Sequence, residues 1–421
     1  AVSQQVHGAP GAAQAGVWGL ARSARAEAQL PVRCLDGEVM AVLSSSWAPT
    51  EPEVVIRSEE CLASRLTRAL PLSTARAPPV YAADSQLVTG GTGGLGLLTG
   101  RWLAQQGAGA LMLVSRSGAV APHIEAEWQV LQASCEMARV ERCNTSERLD
   151  VVRATALARG GLRLSGVWHA AGVLADGMLP KQSAQTLARV YGPKAHGGWL
   201  LQLAVAADPL HNSVLFSSVA ALLGGAGQAN YCAANASLDA LASHRRKHGG
   251  ASVSVQWGAW AEVGMAARGA ASKRIAAMEA ASCFGRIEPA KGLAALGVAV
   301  QPTAPPLVGV VPVEWSRYFG RGCDQVLAFL SAFAPRVADL IADCSALASA
   351  TSVVLLEVVL EMAKRTAGGS VGADAPLMEA GIDSLGAVEL RNQLQSVVGA
   401  STLLPSTLIF EHPTARQLVS L

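Results

Sequence analysis

The chain has 421 residues, 51% of them hydrophobic, and its 33 basic and 31 acidic side chains leave a formal charge of +2. That length accommodates about two to four ordinary domains, and the near balance of charge gives no global attraction to nucleic acid or to a membrane surface. No apolar run approaches the roughly 18 residues of a membrane span, and the eight scattered cysteines form neither a Cys-x-x-Cys pair nor a metal spacing with histidine.

Reduced thiols, no metal and a soluble, reducing, cytoplasmic setting are therefore expected. The chain opens on Ala1-Val2-Ser3 without an initiator methionine, so a segment of a longer polypeptide is expected. Residues 1–80 are irregular, and Pro78-Pro79 with Ala82-Ala83 marks a boundary.

From residue 84 to 312 short apolar runs alternate with longer helix-period segments. Strands are predicted at residues 86–89, 110–114, 140–143, 166–170, 213–217, 252–257 and 307–311. Near-continuous apolar strands interleaved with helices predict an α/β fold, a doubly wound parallel sheet covered on both faces.

The first of these strands runs into Thr89-Gly90-Gly91-Thr92-Gly93-Gly94-Leu95-Gly96, which opens a helix. Glycines there let the backbone approach a pyrophosphate, and the helix start offers amide donors. After the second strand, Ser115-Arg116-Ser117 stands where an NAD enzyme more often has an acid for the ribose hydroxyls. Arg116 instead offers a planar cation for a 2′-phosphate, which favours NADP. The third strand ends in Cys143-Asn144-Thr145, where Asn144 can accept a hydrogen bond from an adenine amino group without supplying charge.

Farther on stand Tyr191-Gly192-Pro193-Lys194, Phe216-Ser217-Ser218 and Asn230-Tyr231-Cys232-Ala233-Ala234-Asn235. Taken singly, a serine or a tyrosine is most often a core hydrogen-bonding residue. Together, behind a glycine-rich turn, these residues resemble the tetrad of the short-chain dehydrogenase/reductase superfamily in its modular ketoreductase form. His169-Ala170-Ala171-Gly172 and Trp257-Gly258-Ala259-Trp260 extend the resemblance over residues 84–320.

The resemblance implies a Rossmann-like fold and NADPH-dependent reduction of a β-ketoacyl thioester. Ser218 and Tyr231 would meet charge building on the carbonyl oxygen, and Tyr231 would act as general acid. Lys194 would lower the tyrosine's pKa, and Asn235 would hold the lysine. Ser217 adjoins Ser218, but the 13-residue step to Tyr231 favours Ser218. Ala171, Gly172, Trp257 and Gly258 would line the cofactor, while Trp168, His169 and Trp257 read as packing or cofactor-wall residues. Leu174-Ala175-Asp176 keeps the second acid of the loop typical of D-hydroxy ketoreductases, and Leu223 stands where the opposite class has tryptophan. Although Ala226 replaces a proline of the D class, the balance leans toward a D-hydroxy product. The run Arg245-Arg246-Lys247-His248 reads as a solvated helix end that complements the dipole.

Gly16-Val17-Trp18-Gly19-Leu20 and Glu51-Pro52-Glu53-Val54-Val55 resemble the end of the structural subdomain that precedes modular ketoreductases. Residues 321–349 read as an Ala-rich, partly helical connector.

Near the C-terminus, Gly381-Ile382-Asp383-Ser384-Leu385 precedes a helix-period stretch, and Asp383 or Ser384 could simply cap it. With Glu389-Leu390-Arg391-Asn392 and His412-Pro413-Thr414, the segment resembles an acyl carrier protein of the polyketide or fatty-acid synthase type. A small four-helix bundle is then expected, with Ser384 esterified by 4′-phosphopantetheine through a phosphopantetheinyl transferase. Residues 371–421 hold five acids and two bases, a balance suited to docking on basic partner surfaces.

The expected organisation is a partial structural subdomain at 1–80, a catalytic ketoreductase domain at 81–320, a linker at 321–349 and a carrier at 350–421. The partners implied are the thioester substrate and neighbouring ketosynthase and acyltransferase domains. Two alternatives use the same residues: a catalytically silent reductase-fold scaffold with a carrier, and a free-standing short-chain dehydrogenase acting on soluble substrates.

Overall fold

In a computed structural model, the described residues are 12–28, 31–36, 51–57, 60–68, 84–135, 137–261, 283–315, 318, 328–333, 351–367, 371–382, 387, 390–391, 393–395 and 408–419. The chain divides into two compact units, Ala1–Val313 and Glu314–Leu421.

The first unit begins with helix α1 (Ala12–Ala28) and a three-stranded sheet of β1 (Cys34–Asp36), β2 (Glu53–Arg57) and β3 (Glu60–Leu62). Strands β1 and β2 are parallel, and β2 and β3 are antiparallel. The main sheet holds β4 (Ser85–Thr89), β5 (Ala110–Ser115), β6 (Ala138–Arg142), β7 (Leu164–His169), β8 (Asn212–Ser218), β9 (Val253–Trp257) and β10 (Leu307–Val310). Its order is β10-β9-β8-β7-β4-β5-β6, every pair parallel. The order reverses between β4 and β7, so the crevice beyond Thr89 and His169, which are register partners, is the switch point where such sheets bind ligands.

All seven predicted strands enter this sheet. At edge strand β6 the start falls earlier than the apolar run suggested, because residues on this edge are half exposed and lack the continuous hydrophobic signal of β4 or β7.

Helices cover both faces. On one, α2 (Gly94–Gln105), α3 (Glu125–Ser134) and α9 (Pro289–Ala299) pack Leu103, Leu131 and Leu296 against Leu111, Leu113 and Trp168. On the other, α4 (Arg148–Arg159) and α6 (Gly197–Ala204) pack Val151, Ala154, Leu200 and Leu201 against Leu87, Met112 and Val167. Trp168 is fully buried, stands edge-on to Trp102 and donates Nε1–H to Gln86 Oε1 at 3.0 Å.

Two helices carry residues of the switch-point crevice. Helix α5 (Ala184–Tyr191) starts with a capping box in which Ser183 and Thr186 answer each other's backbone amides. It runs into a π-turn (Gly192–His196) and then α6. The short α7 (Ala220–Leu223) precedes α8 (Ala229–Lys247), whose last turn is basic, as the helix dipole favours. Arg246 there donates to Pro302 O and Ala304 O, so the basic run is partly a structural tie.

Helix α1 lies against α8, and small residues allow a close approach. A Cβ on Gly19 would stand 2.3 Å from Cys232 O, and one on Gly16 3.1 Å from Ser237 Oγ. The second unit contains α10 (Thr351–Ala367), helical residues at 387, 390–391 and 393–395, α11 (Leu408–Glu411) and α12 (Ala415–Val419). Val359, Ala363, Leu377, Ile382, Leu390, Ile409 and Ala415 form its core. Ser384 and most of the 321–349 connector lie outside the described residues.

Candidate active site

The turn after β4 is built for close backbone approach. Gly90 has φ +65°, and a Cβ on it would meet Ala171 N and Cα at 2.9 Å. A Cβ on Gly91 would strike Leu113, and one on Gly96 would stand 2.2 Å from Gly90 O. Gly93 is extended at the start of α2 and no side chain caps it, so the first amides of α2 at Gly94, Leu95 and Gly96 lack a side-chain acceptor. Thr92 sits half-buried in this turn. A helix start without a cap, and glycines held by their surroundings, fit a pyrophosphate.

Around the turn, Ser115 and Ser117 share a 3.1 Å hydroxyl contact, and Gly118 N donates to Ser115 Oγ. Arg116 is exposed at the tip, with no carboxylate partner among the described residues. Asn144 differs from its expected role as a free acceptor. Its Oδ1 already accepts Ser146 N at 3.2 Å, and its own N–H goes to Asp150, so the side chain also shapes the turn. Gly258 N donates to Val310 O, and a Cβ on Gly258 would meet Val311 at 2.8 Å. Trp257 is buried against Phe216 and Trp260, and its Nε1–H has no acceptor among the described residues.

Lys194 rides on the π-turn, a local widening that often marks functional positions. Its Nζ donates to Phe216 O at 2.6 Å and stands 5.5 Å from the Tyr231 ring centroid. Gly172 lies beside it; a Cβ there would be 3.4 Å from Lys194 Cε. Burial brings the Lys194 pKa down to about 8, opposed by the buried carboxylate Asp239.

Tyr231 departs from expectation. Burial raises its pKa above the ordinary value, while Asn235 and Ser218 pull it back, and Lys194 is not among the causes. Both groups are desolvated, so each one's charged form is penalised before they can help one another. Nor does Asn235 hold the lysine directly. Its Nδ2 donates to Tyr231 O at 2.8 Å, and its buried Oδ1 lacks a partner among the described residues.

Alternation along β8 separates the two serines. Ser217 is buried and donates to Asn235 O at 3.3 Å, whereas half-buried Ser218 bonds with Tyr231 and accepts Ala220 N. The tetrad residues thus meet at the carboxyl ends of β7 and β8.

Sequence reasoning left three contributors unassigned. His169, fully buried, contacts Thr89 Oγ1 through Nδ1 at 2.7 Å and Lys194 O through Nε2 at 2.8 Å. A carbonyl only accepts, so Nε2 carries the proton and Nδ1 accepts from Thr89. Burial lowers the His169 pKa to about 4, which keeps the ring neutral. Asp239, one turn beyond Asn235, accepts Ser254 Oγ at 2.6 Å and Gln256 Nε2 at 2.7 Å. Glu27 of α1 accepts two backbone amides at the edge of the site. For His169 the signal was its position at a strand's carboxyl end; Asp239 and Glu27 gave none.

The family model described as KR domain matches residues 84–262, and the one described as phosphopantetheine attachment site matches residues 353–421. Polyketide synthase GfsB of Streptomyces halstedii is 35% identical over 97% of this chain, which spans 8% of that protein. Polyketide synthase GfsE of the same organism is 36% identical over 97% of the chain, which spans 11% of it. The chain therefore covers about a tenth of the length of these curated relatives. A solved structure of A-type ketoreductases from a modular polyketide synthase superposes with a TM-score of 0.68 at 31% identity, covering 78% of this chain and 70% of that one. An A1-type ketoreductase gives 0.67 at 30% identity, with the same coverage.

Proposed function

The chain belongs to the ketoreductase and carrier portion of modular polyketide synthases, and from that premise we propose that it reduces a β-ketoacyl thioester, held on its carrier, to the β-hydroxyacyl thioester. The observation that carries this reading is the meeting of Ser218, Tyr231, Lys194 and Asn235 beside the uncapped start of α2.

NADPH, when bound, supplies a hydride to the ketone carbon. The pyrophosphate would lie on the turn from Gly90 to Gly96, and Arg116 would pair with the 2′-phosphate. Ser218 and Tyr231 donate hydrogen bonds to the carbonyl oxygen, and Tyr231 passes its proton to the forming alkoxide. Lys194 follows as the proton source behind the phenol. Its pKa of about 8 places it close to working pH, where donation and recharging are both accessible. The unpartnered Asn235 Oδ1 is available to a water linking it with Lys194. Asp176, in the loop after β7, supports a D-hydroxy product.

Oxidation of NADPH, followed by its absorbance with a β-ketoacyl thioester, tests the reductase. Tyr231→Phe should lose at least about 100-fold in kcat while still binding the nucleotide; an inert wild type with NADPH bound would favour a scaffold. Ser384 is proposed as the phosphopantetheine attachment point. Intact mass after treatment with coenzyme A and a phosphopantetheinyl transferase should rise by one prosthetic group, and not in Ser384→Ala.

A further inference from the structure

We propose that Glu27 is a positioning residue for the acyl substrate, its carboxylate buckling together the two loops that lead out of β7 and into the Tyr231 helix. This rests on the reductase reading of Tyr231. Glu27 Oε1 accepts Leu179 N at 2.6 Å, and Oε2 accepts Gly227 N at 2.9 Å. One carboxylate, contributed by a helix outside the main sheet, thus answers one amide from each loop, and such charge-assisted bonds are about twice as strong as neutral ones.

The two loops are stitched to each other as well. Gly177 N donates to Gly227 O at 2.8 Å, and Asn230 Nδ2 donates to Ala175 O at 2.8 Å. Asn230 Oδ1 then accepts the backbone N–H of Tyr231 at 2.7 Å, so the stitched pair ends on the proposed acid. Asp176 sits in the first loop, 3.4 Å from Gln228 Nε2 in the second.

Helix α1 fixes the second loop at two more points. Arg22 donates to Ala221 O and Ser23 to Gly225 O, each at 2.5 Å. Gly224, with φ +78°, passes so close that a Cβ would stand 2.4 Å from Arg22 O.

The configuration of the product depends on the side from which the acyl chain enters past Tyr231. The spacing of these loops governs that entry, whereas the nucleotide contacts lie on the turn from Gly90 to Gly96. Glu27→Gln replaces one acceptor oxygen by an NH2 that faces an N–H, leaving one of the two amides unanswered. Glu27→Asp keeps the charge but is a methylene shorter, and should fall between Gln and wild type.

The test uses the full chain, NADPH and the β-ketohexanoyl thioester of N-acetylcysteamine. Glu27→Gln should lower kcat/KM by about tenfold, chiefly through KM for the thioester, and raise the minor hydroxyl enantiomer. Its dissociation constant for NADPH should stay within about twofold of wild type. Hydrogen exchange in peptides covering 174–182 and 222–228 should rise together, with the main sheet unchanged.

Unchanged KM, enantiomer ratio and exchange would overturn the proposal. So would parallel loss of NADPH binding and sheet protection, which would mean a general folding role. An inert wild type that binds NADPH would remove the reductase reading, and with it the substrate role of Glu27; the exchange comparison would then report on the loop link alone.

Discussion

His169 Nε2 donates its proton to the carbonyl oxygen of Lys194 at 2.8 Å, tying the π-turn to the end of β7. On its other side the ring accepts from Thr89, whose oxygen receives Ala171 N at 3.3 Å. One neutral imidazole therefore joins the end of the glycine-turn strand, the loop after β7 and the lysine backbone.

Replacing His169 by Phe keeps a ring of similar size but strands the Lys194 carbonyl and the Thr89 hydroxyl. Each unsatisfied group costs about 1–3 kcal/mol, so a loss of roughly 3 kcal/mol is expected in urea unfolding. With Lys194 displaced, kcat should drop by about tenfold or more. Wild-type kcat in a His169→Phe protein that still folds would show that the lysine does not depend on this bond.

The same histidine makes stability depend on pH. Its folded pKa is about 4 against an ordinary 6.5, so between those values the unfolded chain binds a proton that the folded chain excludes. Its contribution is complete above pH 6.5, falls as pH drops and levels off below about 4. At about 1.4 kcal/mol per pH unit, lowering the pH from 7 to 5 should cost wild type roughly 2 kcal/mol more than His169→Phe. Parallel stability curves for the two proteins over that interval would refute the assignment.

Two glycines separate steric need from backbone need. A Cβ on Gly96 would stand 2.2 Å from Gly90 O, a rigid backbone atom, whereas Gly161 has φ +94° and nothing within 4 Å. Gly96→Ala should abolish NADPH binding and cost roughly 3 kcal/mol or more. Gly161→Ala should cost about 1 kcal/mol through its φ alone and leave binding intact. Calorimetric titration with NADPH distinguishes them, and tight binding by Gly96→Ala would remove the close-packing argument.

The legible parts of the chain were those where one local pattern decides the outcome. Apolar runs such as that of β5 specify buried parallel strands, and the glycine cluster after β4 specifies a turn that side chains would block. The spacing of Ser218, Tyr231 and Asn235 was readable because β8 and α8 are sequential and meet at one end. Long-range electrostatics was not readable. That burial would push Tyr231 up and Lys194 down depends on how much protein surrounds each group, and that is set by elements more than 100 residues apart. Glu27 was invisible for a related reason: a lone glutamate on a surface-type helix has no local signature, and its partners at 179 and 227 meet it only through tertiary packing.

Glu53 should prove the most costly surface-edge acid to remove. It lies on β2, pairs with Arg22 Nη2 at 2.5 Å and also contacts Arg25, and its side chain is only 12% exposed. Burial alone would push its pKa up, but the two guanidinium groups together outweigh that and hold it below 4.5. Its contribution is therefore complete above pH 4.5 and is lost as pH falls through the lower, folded value, a window more acidic than that of His169. Glu53→Gln leaves two cations facing one another without a counter-charge, and breaking such a pair costs about 3–5 kcal/mol when buried, discounted here to roughly 2–3 for partial solvent access. Because Arg22 also holds Ala221 O, the substitution should loosen α1 over the 221–227 loop before the main sheet opens. Hydrogen exchange resolved by peptide checks this: early exchange of residues 12–28 and 221–227 with β4 and β7 still protected is the expected pattern. Uniform loss across the sheet would instead make Glu53 part of one cooperative core.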